Sequence, residues 1–159
     1  MSAESGIAIR PVSVVDRDQV LALAPRLTEG IAPWRDLDGV LQAARDWLTG
    51  SMESADPDRA AMFVAVDRSS GRVVGVVSVS RSRHFSGEED AYIGELAVAE
   101  DIVRAGVGRR LVAAASAWAR ERGLRCLSLH TGAANATARA FYEALGFRYE
   151  DVRLTLLVE

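Results

Sequence analysis

The chain has 159 residues, 49% apolar and 26% charged, an ordinary globular composition, and we expect a single domain spanning residues 1–159. One cysteine, Cys126, excludes an internal disulfide framework, and two histidines offer too few ligands for a structural zinc site. No apolar run approaches the ~20 residues of a membrane span, and the first residues lack the features of a secretion signal. We therefore expect a cytoplasmic protein without membrane contact.

Charge is distributed unevenly along the chain. The net charge is −3, which argues against a nucleic-acid partner. Residues 1–103 carry a net charge of −7, whereas residues 104–159 carry +4, and every basic residue is arginine. A cationic ligand is therefore favoured near the first part and an anionic ligand near the second, unless both charged surfaces only face solvent.

The hydrophobic pattern predicts alternating strands and helices. In chain order they are a strand at 7–9, a helix after Asp16 disturbed at Pro25, a helix after Asp36 or Asp38 ending at Gly50, hairpin strands at 62–66 and 72–80, a strand at 92–98, a helix from Gly108 to Gly123, a strand at 124–130, a helix at 137–145, and a final strand or pair of strands at 147–158. Trp47, Trp118 and Cys126 are interpreted as core residues. Because a hairpin precedes strands joined by helices, the order predicts an α/β fold with a mixed sheet.

The first motif, residues 98–110, runs from a predicted strand through a short loop to Gly106 and Gly108 at the start of a helix. Glycines there let the backbone approach a ligand closely, while the first-turn N–H groups and the helix dipole favour an anion such as a pyrophosphate. Positive charge for the phosphate oxygens is available from Arg104, Arg109 and Arg110. The chain has no lysine for a Walker loop and no third glycine for a dinucleotide fingerprint. A glycine turn of this kind can also serve only helix packing.

A second motif lies around the helix predicted at 137–145. Its pattern, Asn-x-x-Ala-x-x-x-Tyr-x-x-x-Gly-Phe, is formed by Asn135, Ala138, Tyr142, Gly146 and Phe147. Alone, Tyr142 would be interpreted as a core aromatic residue. Together with the preceding glycine turn, the pattern resembles the GNAT superfamily of N-acetyltransferases, in which an Arg/Gln-x-x-Gly-x-Gly/Ala loop comes first. The chain departs from that loop at one position, where Val103 replaces Arg or Gln.

The resemblance implies a mixed, mostly antiparallel central sheet with a splayed strand pair and flanking helices, and acetyl-CoA as cosubstrate with no metal. By similarity, free main-chain groups before the glycine turn hold the pantetheine arm and polarise the thioester carbonyl, and the turn binds the pyrophosphate. The implied cofactor-binding residues are Leu96, Ala97, Val98, Val103, Arg104, Ala105, Gly106, Val107, Gly108, Arg109 and Asn135. Asn135 could instead be only a helix cap.

Two residues are assigned to catalysis. The resemblance implies Tyr142 as the general acid that protonates the CoA sulfur, with an ordinary pKa of about 10 that keeps its hydroxyl protonated. Glu95 is the preferred base because it is ionisable, lies within an otherwise apolar strand and adjoins the cofactor segment. A solvent-facing role for Glu95 stays open, with Glu89 and Asp90, in the loop that enters the same strand, as alternative bases.

The acceptor is expected to contact Glu29, Trp34 and Asp90, whereas His84 and His130 are interpreted as bystanders. The acidic first part favours a cationic amine, so we expect an acyltransferase that moves an acetyl group from acetyl-CoA to a primary amine, such as a small cationic metabolite or drug-like amine. A protein or peptide acceptor, at an N-terminus or a lysine, stays open, as does a non-catalytic acyl-CoA-binding module. A homodimer is compatible with the resemblance, although no residue points to an interface.

Overall fold

Five strands and four α-helices are defined over residues 6–54, 56–102 and 105–158, the part of the chain that the computed structural model describes. The strands are β1 (Ile7–Pro11), β2 (Ala60–Asp67), β3 (Val73–Arg83), β4 (Glu89–Val98) and β5 (Leu127–Leu129). The α-helices are α1 (Arg17–Leu21), α2 (Leu37–Met52), α3 (Val107–Glu121) and α4 (Ala136–Ala144), and short 3-10 helices lie at Val14–Asp16, Ala24–Thr28 and Glu100–Ile102. Among these described helices, none is both long and apolar enough to cross a membrane.

The strands form one sheet in the order β1-β2-β3-β4-β5. Neighbouring strands run antiparallel, except that β4 and β5 are parallel. That parallel step is joined by α3, as a crossover between parallel strands requires. The predicted mixed, mostly antiparallel sheet with flanking helices is therefore confirmed.

The parallel pair separates soon after it begins. Pairing between β4 and β5 runs only from Ala91 opposite Leu127 to Ile93 opposite Leu129. The rest of β4, as far as Val98, pairs with β3 alone. The predicted splayed strand pair is thus confirmed, and it opens a cleft beside the second half of β4.

The core is built around β3, which is buried without interruption from Val73 to Val79, so both faces of the sheet are covered at that strand. Leu48 of α2 and Trp118 of α3 belong to this core, and the core assignment of Trp118 is confirmed at 4% exposure. The core assignment of Trp47 is wrong, because its side chain is 55% exposed. Successive helix positions differ by about 100°, so Trp47 stands at the edge of the buried face that carries Leu48.

Two predictions near the C-terminal end are also wrong. Residues 147–158 form no strand, although Val152, Leu154, Leu156 and Val158 alternate as in a strand. These four side chains are 79–89% exposed, and an extended segment needs a neighbouring strand before its pattern produces a sheet. Cys126, expected in the core, is exposed: its carbonyl accepts the Ala91 N–H at 2.8 Å just before β5 begins, but its side chain remains uncovered.

Candidate active site

Glu95 lies at a bulge in β4, where Gly94 and Glu95 together oppose Ser78 of β3. A β-carbon at position 94 would come within 3.0 Å of Ser78 Oγ, so glycine leaves room for the serine hydroxyl. Bulges change the direction in which side chains point, and they are common beside active sites. Here the bulged strand buries a carboxylic side chain, which is only 5% exposed.

The Glu95 carboxylate is held by two serine hydroxyls. Ser78 Oγ accepts the Glu95 main-chain N–H at 2.9 Å and donates to Glu95 Oε2. Ser51 Oγ, from α2, donates to the same oxygen at 3.1 Å. Because burying a carboxyl group without hydrogen bonds is costly, these bonds compensate its burial and fix its position. Glu95 Oε1 has no hydrogen-bond partner among the described residues. It is not completely buried, so it remains accessible to solvent.

Tyr142 projects from α4, a helix that Asn135 caps by accepting the Ala138 N–H at 3.1 Å. The Tyr142 ring packs edge-on against Phe141 and Phe147, with centroids 5.1 and 5.4 Å away. Burial raises the pKa of Tyr142 to about 12, above the value of 10 expected from the sequence. The hydroxyl is therefore protonated throughout the physiological range. Within the described part of the chain it makes no hydrogen bond, so its proton is available to a ligand.

Both residues line one cavity of 220 Å³ at the point where β4 and β5 separate. Its walls come from β4, the end of β5, α2, α4 and the loop around Glu29. A larger cavity of 380 Å³ lies between Arg26 and Asp101 but includes neither Glu95 nor Tyr142. Two of its charged lining residues, Arg72 and Asp101, already form an ion pair with each other at 2.7 Å. The smaller cavity is therefore the candidate active site.

The main chain of β4 contributes polar groups to the cleft. Ala99 N–H donates to Val74 O across the sheet. Antiparallel alternation then directs Ala97 toward β3 and the main-chain groups of Leu96 and Val98 toward the cleft. Arg26 Nε already donates to Val98 O at 2.8 Å. Leu96 is thus the cofactor candidate of this segment whose main chain faces the cavity that it also lines.

The glycine turn forms the start of α3. Gly106 caps the helix in the left-handed conformation, with φ of 78°. No acidic residue lies in the first turn, whose amides have no intrahelical acceptor, so the turn suits an anion. Gly108 also serves packing, since a β-carbon there would come within 3.1 Å of Phe141 Cζ. The predicted sites Val103 and Arg104 lie outside the described residues.

The arginines of this turn differ in availability. Arg109 is exposed and, among the described residues, its side chain makes no hydrogen bond. Arg110 instead donates to Ile7 O at 2.7 Å, which ties α3 to β1. Arg109 is therefore the described arginine that can reach a phosphate at this turn. The other implied positions, Val107 and Ala105, have apolar side chains and can offer a ligand only main-chain groups. The Val107 side chain is buried in the core, and the Ala105 N–H already donates to Ile102 O.

The residues predicted for the acceptor fall in different places. Glu29 lines the cavity, and its carbonyl accepts from Asn135 Nδ2 at 3.3 Å, which joins the loop to α4. Trp34 is 48% exposed and does not line the cavity.

The acidic residues Asp90 and Glu89 lie at the opposite end of β4, where they pair across the sheet with Ser82 and Arg83 of β3. Five residue steps along the strand place Asp90 about 17 Å from Glu95. The acceptor roles of Trp34 and Asp90 stay predictions that this cavity does not support.

Four cavity or supporting residues were missed or read differently from the sequence. They are Trp47, Ser51, Ser78 and His130, of which Trp47 and His130 line the cavity. Trp47 and Ser51 are four residues apart on α2 and therefore lie on one face of the helix. This pairing of an aromatic and a hydroxyl side chain could have indicated a ligand-binding face. His130 Nδ1 lies 2.9 Å from Tyr92 Oη, whose pKa is raised by burial and by the nearby Glu95 charge.

Comparison with known proteins identifies the family. The family model described as the acetyltransferase (GNAT) family matches residues 26–147. The chain therefore belongs to the GNAT acetyltransferase family. The protein described as uncharacterized N-acetyltransferase YycN, of Bacillus subtilis strain 168, is 38% identical over 65 residues, which is 41% of this chain and 42% of YycN. The chain thus spans less than half the length of that relative.

Solved structures share the fold over nearly the whole chain. One is AAC(6')-Iy in complex with the bisubstrate analogue CoA-S-monomethyl-acetylneamine, with a TM-score of 0.68 and 20% identity, covering 96% of this chain and 98% of that one. Another is glucosamine-6-phosphate N-acetyltransferase from Arabidopsis thaliana, with a TM-score of 0.66 and 15% identity, covering 96% and 99%. At these identities the likeness concerns the fold.

Proposed function

We propose that this protein is an acetyl-CoA-dependent N-acetyltransferase that acetylates a primary amine, in particular a small cationic one. The observation that carries the proposal is that a buried carboxylate, Glu95, and a protonated phenol, Tyr142, line one cavity where β4 and β5 separate. An acid and a base on one cavity suit a transfer that must remove one proton and deliver another. Membership of the GNAT family supports acetyl-CoA as the acetyl donor.

The chemistry of the donor set fits acetyl-CoA. The first turn of α3 offers unpaired amides, a left-handed Gly106 and no acidic side chain, which suits a pyrophosphate. Arg109 adds charge beside that turn, and Leu96 turns its main chain to the cleft. When bound, acetyl-CoA supplies the acetyl thioester and a sulfur leaving group. We assign pyrophosphate binding to Gly106, Val107, Gly108 and Arg109.

Glu95 is assigned as the base. An alkylammonium group has a pKa near that of lysine, about 10.4, so the acceptor arrives protonated at neutral pH and must lose a proton. Oε1 of Glu95 receives it, directly or through water, because Oε2 is already engaged by Ser51 and Ser78. The two serines therefore act as positioning residues that keep Oε1 directed away from β3.

Tyr142 is assigned as the acid. Tyr142 lines the cavity, and its hydroxyl has no hydrogen-bond partner among the described residues and holds its proton because burial raises its pKa to about 12. The proton on Oη can pass to the departing sulfur as the C–S bond breaks, and the second proton that the amine nitrogen loses on forming the amide restores the phenol. Packing against Phe141 and Phe147 holds the ring in place, so the hydroxyl position is set before a ligand binds.

The acceptor proposal rests on charge and on an aromatic face. Residues 1–103, which supply α2, β4 and the loop at Glu29, carry a net charge of −7. Trp47 lines the cavity and is 55% exposed, so its ring can stack on an ammonium group. A small amine also matches a cavity of 220 Å³ better than a protein segment does.

The direct test is a screen of thiol release from acetyl-CoA against polyamines, amino sugars, amino acids and peptides, with CoA binding measured by calorimetry. We expect CoA binding and amine-dependent thiol release, fastest with small cationic amines. The matched control is the double variant Glu95→Gln with Tyr142→Phe, which should bind CoA but release little thiol. CoA binding without turnover on any amine would overturn the enzyme proposal, and a preference for peptides would overturn the acceptor class.

A further inference from the structure

A histidine and a tyrosine form a hydrogen-bonded pair where β4 and β5 separate, and the acid and base assignments do not involve either. His130 follows the last residue of β5 and lines the candidate active-site cavity. Its Nδ1 lies 2.9 Å from Tyr92 Oη of β4, with the ring centroids 5.6 Å apart. Tyr92 pairs with Ser128 across the parallel strands, and His130 lies two residues beyond Ser128, so the two rings share one face. Tyr92 thus holds a ring that forms part of the cavity wall.

The direction of this hydrogen bond follows from the surroundings of Tyr92. Nδ1 of His130 is the hydrogen-bond partner of Tyr92 Oη among the described residues. Burial, followed by the nearby charge of Glu95, raises the pKa of Tyr92, so the hydroxyl keeps its proton at neutral pH. A half-buried hydroxyl that donates to nothing is unfavourable, whereas donation to Nδ1 satisfies it. Tyr92 therefore donates to Nδ1 when the imidazole is neutral.

His130 consequently presents an N–H group to a ligand whether its ring is neutral or charged. In a neutral imidazole one nitrogen donates and the other accepts, so an Nδ1 that accepts from Tyr92 leaves the ring hydrogen on Nε2. In the imidazolium both nitrogens carry hydrogen, and Nδ1 donates to Tyr92 Oη instead. Nε2 has no hydrogen-bond partner among the described residues, and the His130 side chain is exposed. The cavity therefore offers a hydrogen-bond donor at its β5 wall.

The ligand atom that accepts this N–H is best supplied by a hydroxyl group. A second ammonium group carries only donors, so it would place N–H against N–H. A carboxylate would meet an unfavourable charge, because Arg26 of the cavity is already paired with Glu29, whereas Glu95 is held by neutral serines. A hydroxyl oxygen accepts a hydrogen bond without bringing negative charge. The cavity thus combines a carboxylate for an ammonium group with a donor for a hydroxyl group.

We propose that His130 is a specificity-determining residue that donates its Nε2–H to a hydroxyl oxygen of the acceptor, and that Tyr92 positions its ring. The preferred acceptors are then hydroxylated primary amines, namely amino alcohols and amino sugars. The inference rests on the proposed function, whose acceptor class it narrows. It also gives a role to His130, which the sequence alone indicated to be a bystander.

The first test compares the kcat/KM of thiol release for amines that differ only by a hydroxyl group, aminopropanol with propylamine and aminobutanol with butylamine. In the parent we expect the hydroxyl group to raise kcat/KM about tenfold in at least one pair, as for one hydrogen bond. His130→Phe should bring this ratio close to one. His130→Gln should keep part of it, because a glutamine carbonyl can accept from Tyr92 while its amide donates to the ligand.

The control for this comparison is His84→Phe, which changes the other histidine of the chain, between β3 and β4, and should keep the parental ratio. Because each ratio is measured within one variant, a general loss of folding or activity does not alter it. A ratio near one in the parent, or a parental ratio in His130→Phe, would overturn the role of His130. A parental ratio in Tyr92→Phe would overturn the positioning role of Tyr92.

The second test uses nitrogen NMR of the imidazole rings and does not require acetyl transfer. In His84→Phe the remaining histidine is His130. With the ring neutral we expect the hydrogen on Nε2, and a mixture of both tautomers once Tyr92→Phe is added. In the presence of CoA, aminopropanol should shift the Nε2–H signal, whereas propylamine should not. A neutral ring with its hydrogen on Nδ1, or an equal response to both amines, would overturn the inference. A selective response without thiol release from any amine would support it while overturning the proposed enzyme activity.

Discussion

Ser78 and Glu95 share two hydrogen bonds across the bulge in β4: the Ser78 hydroxyl accepts the Glu95 N–H at 2.9 Å and donates to the Glu95 carboxylate. One serine thereby fixes both the backbone and the side chain of the proposed base. The relationship implies that Ser78 matters to catalysis although it does not line the cavity.

Ser78→Ala should lower kcat about tenfold while the KM for acetyl-CoA stays nearly constant. It should also reduce the free energy of unfolding by about 1–3 kcal/mol, because a buried polar group loses its partner. Ser86→Ala, at the exposed β3–β4 turn, is the matched control and should change neither. A variant with lower stability but parental kcat would show that Ser78 is only structural.

Trp47→Ala should raise the KM for the acceptor about fivefold, as expected for losing a cation–π contact of about 1 kcal/mol. The KM for acetyl-CoA should hardly change, since Trp47 lies on the α2 side of the cavity. Trp34→Ala is the comparator, because Trp34 is exposed but does not line the cavity. If Trp34→Ala has the larger effect, the acceptor binds elsewhere than proposed.

Gly108→Val should weaken CoA binding by about tenfold or more, since a branched side chain obstructs backbone approach at the first turn of α3. The same change should cost about 1–3 kcal/mol of stability, because its β-carbon would come within 3.1 Å of Phe141 Cζ. Adding Phe141→Leu separates the two effects, as it should restore part of the stability but not the affinity. Calorimetry and thermal unfolding measure them. Full recovery of CoA affinity in the double variant would assign Gly108 to packing alone.

Tyr142→Phe should lower kcat about 100-fold with CoA still bound, as expected for removing a general acid. Tyr149→Phe, a change at an exposed tyrosine, should leave kcat unchanged. Parental turnover in Tyr142→Phe would contradict the acid assignment.

The pKa of Tyr142 also predicts a stability effect at alkaline pH. Burial raises that pKa from 10 to about 12, so the folded state disfavours the phenolate. The corresponding stability is present below pH 10 and is lost as the pH rises toward 12. The free energy of unfolding should therefore fall more steeply between pH 10 and 12 in the parent than in Tyr142→Phe. Equal slopes in urea titrations across that interval would show that the phenol is not buried.

The parts predicted from the sequence are those encoded by residues close together in the chain. Gly106 and Tyr142 belong to local motifs, and the hairpin and crossover order determined the mixed sheet. The contacts of Ser51 and Ser78 with Glu95 could not be predicted in this way, because 44 and 17 residues separate them from Glu95 and only the folded chain brings them together.

The wrong predictions share a physical origin. Helical spacing placed Trp47 on the apolar face of its helix. It did not show that Trp47 lies at the edge of the buried face rather than within it. Alternation in residues 147–158 is typical of a strand, but a strand needs a neighbouring strand to pair with, and no described strand pairs with these residues. Both errors concern the part of the protein against which a face packs. The local spacing of apolar residues carries no information about that packing partner.

The most direct test of the central claim, that this cavity catalyses amine acetylation with Glu95 as its base, is the pH dependence of kcat for Glu95→Gln. Near neutral pH we expect a loss of about 100-fold, since the amine must then lose its proton unaided. The rate should recover as the pH approaches the amine pKa, where the free amine forms in solution. Asp90→Asn, about 17 Å along β4, is the control and should keep the parental profile. A Glu95→Gln enzyme with the parental pH profile and rate would contradict the account.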